Sequence, residues 1–145
     1  MINLYFICGL PGSGKTTLAH KIAEQNNAIV HSFDDIPGAW GNADRDNKFF
    51  EQWITEIRAD LADEKNVVLD CLALGSGMRK GILHRFSDFE LNKVLVFKAT
   101  PLEECIKRNK NRERVVPENR IREGVLYLQA PTKEEGWNEI YINKD

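Results

Sequence analysis

Short apolar runs alternate with longer stretches of helical period along the chain. Five runs have the length and composition of strands, and they cover residues 4–8, 28–32, 67–70, 93–98 and 139–142. The stretches between them have helical spacing, which predicts helices over residues 15–25, 44–61, 77–86, 102–109 and 118–128. Strands that alternate with helices predict an α/β fold, in which right-handed crossovers cover both faces of a parallel sheet.

The longest predicted helix has the clearest apolar face. Phe49, Trp53, Ile57 and Leu61 follow one another at intervals of four residues. Side chains at that interval form a continuous stripe along one side of a helix. This stripe is therefore expected to face the core.

Length and composition favour one ordinary core. The chain has 145 residues, of which 42% are hydrophobic and 29% are charged, so a single domain over residues 1–145 is expected. The apolar run at residues 2–8 has no basic region before it and is followed at once by glycine and proline. That pattern suits neither a signal peptide nor a membrane span, so we expect a cytoplasmic protein without a membrane partner.

The cysteines and the charges give two further expectations. Three cysteines, Cys8, Cys71 and Cys105, are odd in number and widely spaced, which favours free buried thiols over disulfides or a metal site. The net charge is only −2, but residues 107–122, here called the basic segment, hold seven basic and two acidic residues. This segment either attracts an anionic partner or forms a solvated helix face.

The loop after the first predicted strand carries a phosphate-binding motif. Gly9, Gly14, Lys15 and Thr16 match G-x-x-x-x-G-K-[ST] between a strand and a helix, which disfavours a plain glycine turn. Backbone amides of residues 12–16 can surround a phosphate at the positive end of the helix. In such loops the lysine neutralises the β- and γ-phosphates and the hydroxyl binds Mg²⁺. We expect Lys15 to lie on a surface loop and to serve charge stabilisation rather than packing.

Carboxylates stand at the ends of two other predicted strands. Asp70 closes the run NVVLD, where it either holds a magnesium-bound water together with Thr16 or merely caps the strand. Asp34 and Asp35 follow the second strand, and adjacent residues of an extended chain point in opposite directions. One of the two is therefore expected to accept the proton of an attacking hydroxyl, while the other is structural.

The order and spacing of four segments resemble a known family. GLPGSGKTT, SFDD, VVLD and RNKNR are similar to the kinase module of polynucleotide 5′-hydroxyl kinases, within the adenylate-kinase-like, AAA-type P-loop phosphotransferases. The resemblance covers nearly the whole chain. It implies a P-loop NTPase fold with a five-stranded parallel sheet in the order 2-3-1-4-5, a short basic lid, and ATP and Mg²⁺ as ligands.

The resemblance also assigns roles to residues. It places the base that activates the acceptor hydroxyl at Asp34, with Asp35 as second choice. The lid supplies an arginine to the transferring phosphoryl group, matched by Arg112 with support from Arg108. ATP is expected to contact Arg108, Arg112 and the loop residues Gly9, Pro11, Gly12, Ser13, Gly14, Lys15, Thr16 and Thr17.

The chain departs from the family pattern on the acceptor side. Polynucleotide kinases typically show DTN after the third strand, whereas this chain reads DCLAL, so Leu72 and Ala73 offer no polar side chain. Where phage relatives place an arginine for the substrate's 3′-phosphate, this chain has Pro37. Trp40 either stacks on a base or anchors local packing.

The closing stretch, residues 131–142, looks like tails seen in this group. Its sequence, PTKEEGWNEIYI, suggests a turn that leads into the last strand. Trp137 within it is expected to belong to the core rather than to a ligand site.

Three functions are compatible with these features. The first is transfer of the ATP γ-phosphoryl group to a polynucleotide 5′-hydroxyl, and the second is a kinase of a small metabolite, a nucleoside or a tRNA adduct. The third is an ATP-binding module or ATPase without a transfer acceptor. A GTPase is disfavoured because the guanine-reading pattern N-K-x-D is absent, since NKNR ends in Arg112 where aspartate is required.

Overall fold

A computed structural model describes residues 1–33, 43–71, 73, 75–111 and 115–143 of the chain. Several residues singled out from the sequence lie outside this part: Asp34, Asp35, Pro37, Trp40, Leu72 and Arg112. The roles predicted for them therefore stay predictions.

Five parallel strands form one sheet in the order β2-β3-β1-β4-β5, as predicted. The strands are β1 (Ile2–Cys8), β2 (Ala28–Ser32), β3 (Asn66–Asp70), β4 (Leu91–Lys98) and β5 (Glu139–Asn143). The helices are α1 (Lys15–Asn26), α2 (Ala43–Ala62), α3 (Ser76–His84), α4 (Leu102–Lys110) and α5 (Glu118–Tyr127). A 3₁₀ turn, Lys133–Glu135, precedes β5.

The element boundaries differ from the predicted ones by at most two residues. β1 and β4 both begin earlier than predicted because Ile2 pairs with Leu91 in the ladder, which is a contact between distant parts of the chain. α3 ends at His84 rather than at Phe86, and the chain continues in turns. Phe86 is nevertheless buried, so its apolar character reflects packing and not helix.

The two faces of the sheet pack against different helices. Phe6 belongs to the larger core cluster, together with Trp53 and Ile57 from the apolar stripe of α2. Ile7, the next residue along β1, packs on the opposite face with Ala19 of α1. Alternation along the strand thus fills two layers, and the predicted stripe of α2 does face the core.

The three cysteines are buried thiols, as predicted. Trp137 is also buried, and its ring meets that of Phe6 edge to face with 5.5 Å between the centroids. Within the described ranges, no helix is both long enough and apolar enough to cross a membrane.

Candidate active site

The predicted site lies where three strands end at the same edge of the sheet. β1 ends at Cys8 and continues into the phosphate-binding loop, while β3 ends at Asp70. Ser32, the last residue of β2, is paired in register with Asp70, and Ile7 of β1 is paired with Asp70 from the other side. Parallel pairing therefore places the loop and the Asp70 carboxylate next to each other.

The loop needs glycine where its backbone is left-handed or closely packed. Gly12 and Gly14 have φ angles of 83° and 91°, a region that side chains disfavour. A Cβ atom at Gly12 would lie 2.3 Å from the carbonyl oxygen of Cys105, so α4 packs directly on the loop. α1 begins at Lys15. In its first turn the Leu18 amide donates a hydrogen bond to the carbonyl of Gly14 at 3.0 Å.

Asp70 is the centre of the site's hydrogen bonds. Its side chain is fully buried, and its Oδ1 accepts from Lys15 Nζ at 2.9 Å. Its Oδ2 accepts from the Thr16 hydroxyl at 2.8 Å and from the Ser32 hydroxyl at 3.3 Å. The structure thus brings together three residues predicted for this site, namely Lys15, Thr16 and Asp70.

The prediction that Lys15 lies on a surface loop is wrong. Its side chain is only 6% exposed, and its ammonium group forms an ion pair with the buried Asp70 carboxylate. Lys15 is the first residue of α1, so its backbone is part of the helix rather than of the loop. Its ammonium group therefore offsets the charge of the buried Asp70 carboxylate.

Side chains from α4 and from the connection between β4 and α4 hold the loop from outside. The Ser13 carbonyl accepts a hydrogen bond from the Thr100 hydroxyl at 2.8 Å and another from Arg108 Nη1 at 3.2 Å. Arg108 also donates from Nε to Glu104 at 3.1 Å. The structure therefore places Arg108 against the phosphate-binding loop, while its predicted contact with ATP stays a prediction.

The remaining loop residues are placed as follows. Gly9 and Pro11 are buried, whereas Thr17 is exposed on the first turn of α1.

Sequence reasoning missed Ser32, which contacts Asp70, and Thr100, which contacts the loop. The signal for Ser32 would have been a hydroxyl at the end of the strand next to β3, and the signal for Thr100 a hydroxyl just after the strand next to β1.

Two arginines of the basic segment, Arg108 and Arg122, are paired with glutamates in the structure. Arg108 pairs with Glu104, which lies just outside the segment. Arg122 pairs with Glu118 at 3.2 Å and with Glu103 at 3.3 Å. Because α4 and α5 pack side by side, Glu103 of α4 reaches Arg122 of α5, whereas the pairs Glu104–Arg108 and Glu118–Arg122 each lie within one helix.

The donor atoms around Asp70 suit a hard cation. Thr16 and Asp70 supply a hydroxyl and a carboxylate, which are oxygen donors of the kind that Mg²⁺ prefers. The part of the chain that the structure describes contains no group of three or more His, Cys, Asp or Glu residues arranged to hold a metal. A cation at this site would thus depend on Thr16, Asp70 and oxygen atoms from the phosphates and water.

The parallel sheet has the order 2-3-1-4-5, the motif G-x-x-x-x-G-K-T follows β1, and an aspartate ends β3. Together these features define a P-loop protein of the NTPase fold. The chain belongs to the AAA domain family, which matches residues 4–131. No curated protein matches its sequence.

Solved structures resemble the fold along most of the chain. A sugar kinase from Janibacter sp. has a TM-score of 0.75 at 17% identity, covering 99% of this chain and 86% of that chain. Kti12 from Chaetomium thermophilum, in complex with ADP-AlF3, has a TM-score of 0.71 at 17% identity, covering 97% and 88%. A chain of the Pnkp1/Rnl/Hen1 RNA repair complex has a TM-score of 0.77 at 20% identity, covering 88% of this chain but 44% of that one. At these identities the likeness concerns the fold.

Proposed function

We propose that the protein is an ATP-dependent phosphotransferase that moves the γ-phosphoryl group of ATP to a hydroxyl. The observation that carries this proposal is the convergence of Lys15 and Thr16 on the buried carboxylate of Asp70. The loop would hold the phosphates of ATP, with Lys15 on the β- and γ-phosphates. Thr16 and Asp70 would hold Mg²⁺, which when bound offsets the charge of the phosphates.

The transfer step needs a base and a cation beyond the loop. In the proposed reaction the acceptor oxygen forms a bond to the γ-phosphorus, and the bond from that phosphorus to the bridging oxygen of ADP breaks. The acceptor proton passes to the carboxylate of Asp34, with Asp35 as second choice, and Arg112 binds the transferring group. Arg108, which contacts the Ser13 carbonyl, would support the lid from α4.

As the acceptor we propose the 5′-hydroxyl end of a polynucleotide. This choice is supported by the order and spacing of GLPGSGKTT, SFDD, VVLD and RNKNR. The likeness in fold to a chain of an RNA repair complex is compatible with it. The basic segment would contact the phosphates of such an acceptor.

A small hydroxyl-bearing acceptor is the second candidate, and specific observations favour it. Arg108 and Arg122 of the basic segment are paired with glutamates, which lowers the attraction for a polyanion. Ala73 offers no polar side chain beside Asp70. A sugar kinase is also among the structures of similar fold.

Incubation with γ-labelled ATP tests both candidates. The acceptors are 5′-hydroxyl DNA and RNA oligonucleotides, nucleosides and sugars, and released phosphate is measured in parallel with Lys15→Met as the negative control. We expect label on the oligonucleotides. Label only on a nucleoside or sugar would establish the second candidate, whereas phosphate release without any labelled acceptor would establish an ATPase and contradict both.

A further inference from the structure

Arg79 is a fully buried arginine outside the residues discussed so far. It lies on α3, and its exposed fraction is 0%. Its guanidinium forms a forked pair with Glu135, with Nε to Oε1 and Nη2 to Oε2 both at 2.8 Å. Because an isolated buried charge is very unfavourable, this pairing is what allows Arg79 to be buried at all.

The same guanidinium also contacts the end of β1 and the chain that follows β3. Nη1 donates to the Ala73 carbonyl at 3.3 Å, three residues beyond Asp70. It also lies 3.9 Å from Cys8 Sγ, immediately before the phosphate-binding loop. The Cys8 thiol donates to the same Ala73 carbonyl at 3.1 Å. Burial raises the pKa of Cys8, which keeps the thiol protonated as a donor.

The other partners of Arg79 come from the tail segment, defined as residues 129–137. Nη2 donates to the Gln129 carbonyl at 2.8 Å, and Trp137 Nε1 donates to Glu135 Oε1 at 2.9 Å. Burial raises the pKa of Glu135, but the hydrogen bonds from Arg79 and Trp137 outweigh this effect and hold the pKa below its ordinary value. Glu135 is therefore ionised at neutral pH.

A second contact joins the tail segment to α3. The side-chain oxygen of Gln129 accepts from the amide of Ser76, the first residue of α3, at 2.7 Å. The first amides of a helix lack partners within the helix, so this contact caps α3. The tail segment thus holds α3 at its first residue through Gln129 and one turn later through Glu135.

Stability alone does not explain this arrangement. A buried ion pair is often no more stabilising than apolar side chains of similar volume, because both charges lose their hydration. An apolar pair could not, however, orient the Ala73 carbonyl and the Cys8 thiol, since it has no donors. The forked pair therefore gives Cys8, before the phosphate-binding loop, and Ala73, after Asp70, a defined position.

We propose that Arg79 and Glu135 form a positioning pair through which the tail segment sets the geometry of the chain after Asp70. The pair is needed for phosphoryl transfer and not for nucleotide binding, a consequence that rests on the proposed function. Arg79 and Glu135 are positioning residues, because they act through Ala73 and Cys8 rather than on the substrate. This assigns a role to the closing stretch singled out in the sequence.

The test compares Glu135→Gln with Glu134→Gln, the same change one residue earlier at an exposed position. Amide exchange followed residue by residue by NMR is the first measurement. Loss of a charge-assisted hydrogen bond should raise the exchange rates of Ala73 and Ser76 about tenfold or more in Glu135→Gln and leave them unchanged in Glu134→Gln. Faster exchange confined to the tail segment would overturn the proposal.

The second measurement separates transfer from binding. Turnover of γ-labelled ATP should fall about tenfold to a hundredfold in Glu135→Gln, as for other groups that orient a functional residue. The dissociation constant of a fluorescent ADP with Mg²⁺ should stay within about twofold of the parent's. Equal losses in turnover and in ADP affinity, or losses equal to those of Glu134→Gln, would overturn the proposal.

The exchange measurement does not depend on activity. If the parent protein transfers no phosphoryl group, the proposed function fails, while the exchange rates of Ala73 still decide whether the pair positions this chain. If Glu135→Gln shows no cooperative melt, Glu135→Asp replaces it, because aspartate keeps the charge but is too short to keep both hydrogen bonds of the fork. Unchanged exchange at Ala73 in a folded Glu135→Asp protein would count against the proposal.

Discussion

Lys15, the first residue of α1, forms a buried ion pair with Asp70, the last residue of β3, with 2.9 Å between Nζ and Oδ1. The Asp70 side chain has no exposed surface, and Thr16 and Ser32 donate to its other oxygen. A buried carboxylate depends on its counter-charge, so this pair couples the proposed ATP site to the stability of the core.

Lys15→Met should abolish phosphoryl transfer and also destabilise the protein. Transfer should fall at least about a hundredfold because the charge on the phosphates is no longer offset. The free energy of unfolding should fall by about 3–5 kcal/mol because Asp70 remains buried without its partner. Urea denaturation and γ-labelled ATP measure the two effects.

The double variant Lys15→Met with Asp70→Asn separates the two roles. Removing both charges should restore most of the lost stability and none of the activity. A double variant as unstable as Lys15→Met would show that the methionine, and not the uncompensated carboxylate, causes the loss.

Thr16→Val should weaken the binding of Mg²⁺, because it removes the hydroxyl that lies 2.8 Å from Asp70 and keeps the shape of the side chain. The Mg²⁺ concentration needed for half-maximal binding of a fluorescent ATP analogue should rise about tenfold or more. Thr16→Ser keeps the hydroxyl and serves as the matched control. Equal Mg²⁺ titrations for both variants would exclude a metal ligand at this position.

Asp34→Asn should impair transfer far more than Asp35→Asn. A positioned base contributes about 10²–10⁴ to the rate, while neither change should affect nucleotide binding. Single-turnover transfer and fluorescent ADP binding give the comparison. If Asp35→Asn has the larger effect, the base is the second aspartate.

Arg112→Lys should lower transfer and leave ATP affinity almost unchanged. Lysine keeps the charge but lacks the planar fork that can bind two phosphoryl oxygens. Arg114→Lys in the same segment is the matched control, because it makes the same substitution and also keeps the positive charge. Full activity of Arg112→Lys would mean that the segment acts only through its overall charge.

The Michaelis constant for a 5′-hydroxyl oligonucleotide should rise steeply with salt concentration. Each phosphate contact releases counterions, so the slope is about one power of salt concentration per contact. The constant for a neutral nucleoside measured in the same buffers provides the reference. A flat salt dependence for the oligonucleotide would argue against a polynucleotide acceptor.

Much of the fold and half of the site follow from local sequence. Short apolar runs predict all five strands, and the motif formed by Gly9, Gly14, Lys15 and Thr16 predicts the loop. Glycine is required at Gly14 by a left-handed backbone and at Gly9 by close contact with Ser13 and Lys98. Contacts between distant parts of the chain are not accessible to such reasoning. Arg79 and Glu135 are 56 residues apart in sequence, and neither belongs to a motif with a fixed spacing.

By itself the sequence determined the parallel sheet, its order through the family resemblance, the phosphate-binding loop and the identity of Asp70 as its partner at the strand end. These depend on periodicity and on short motifs, which are local properties of the chain. The tertiary structure decided that Lys15 is buried, that Glu103 of α4 pairs with Arg122 of α5, and that the tail segment contacts the chain beside the site through Arg79. Burial and ion pairing depend on which distant segments pack together, and a local pattern does not specify that.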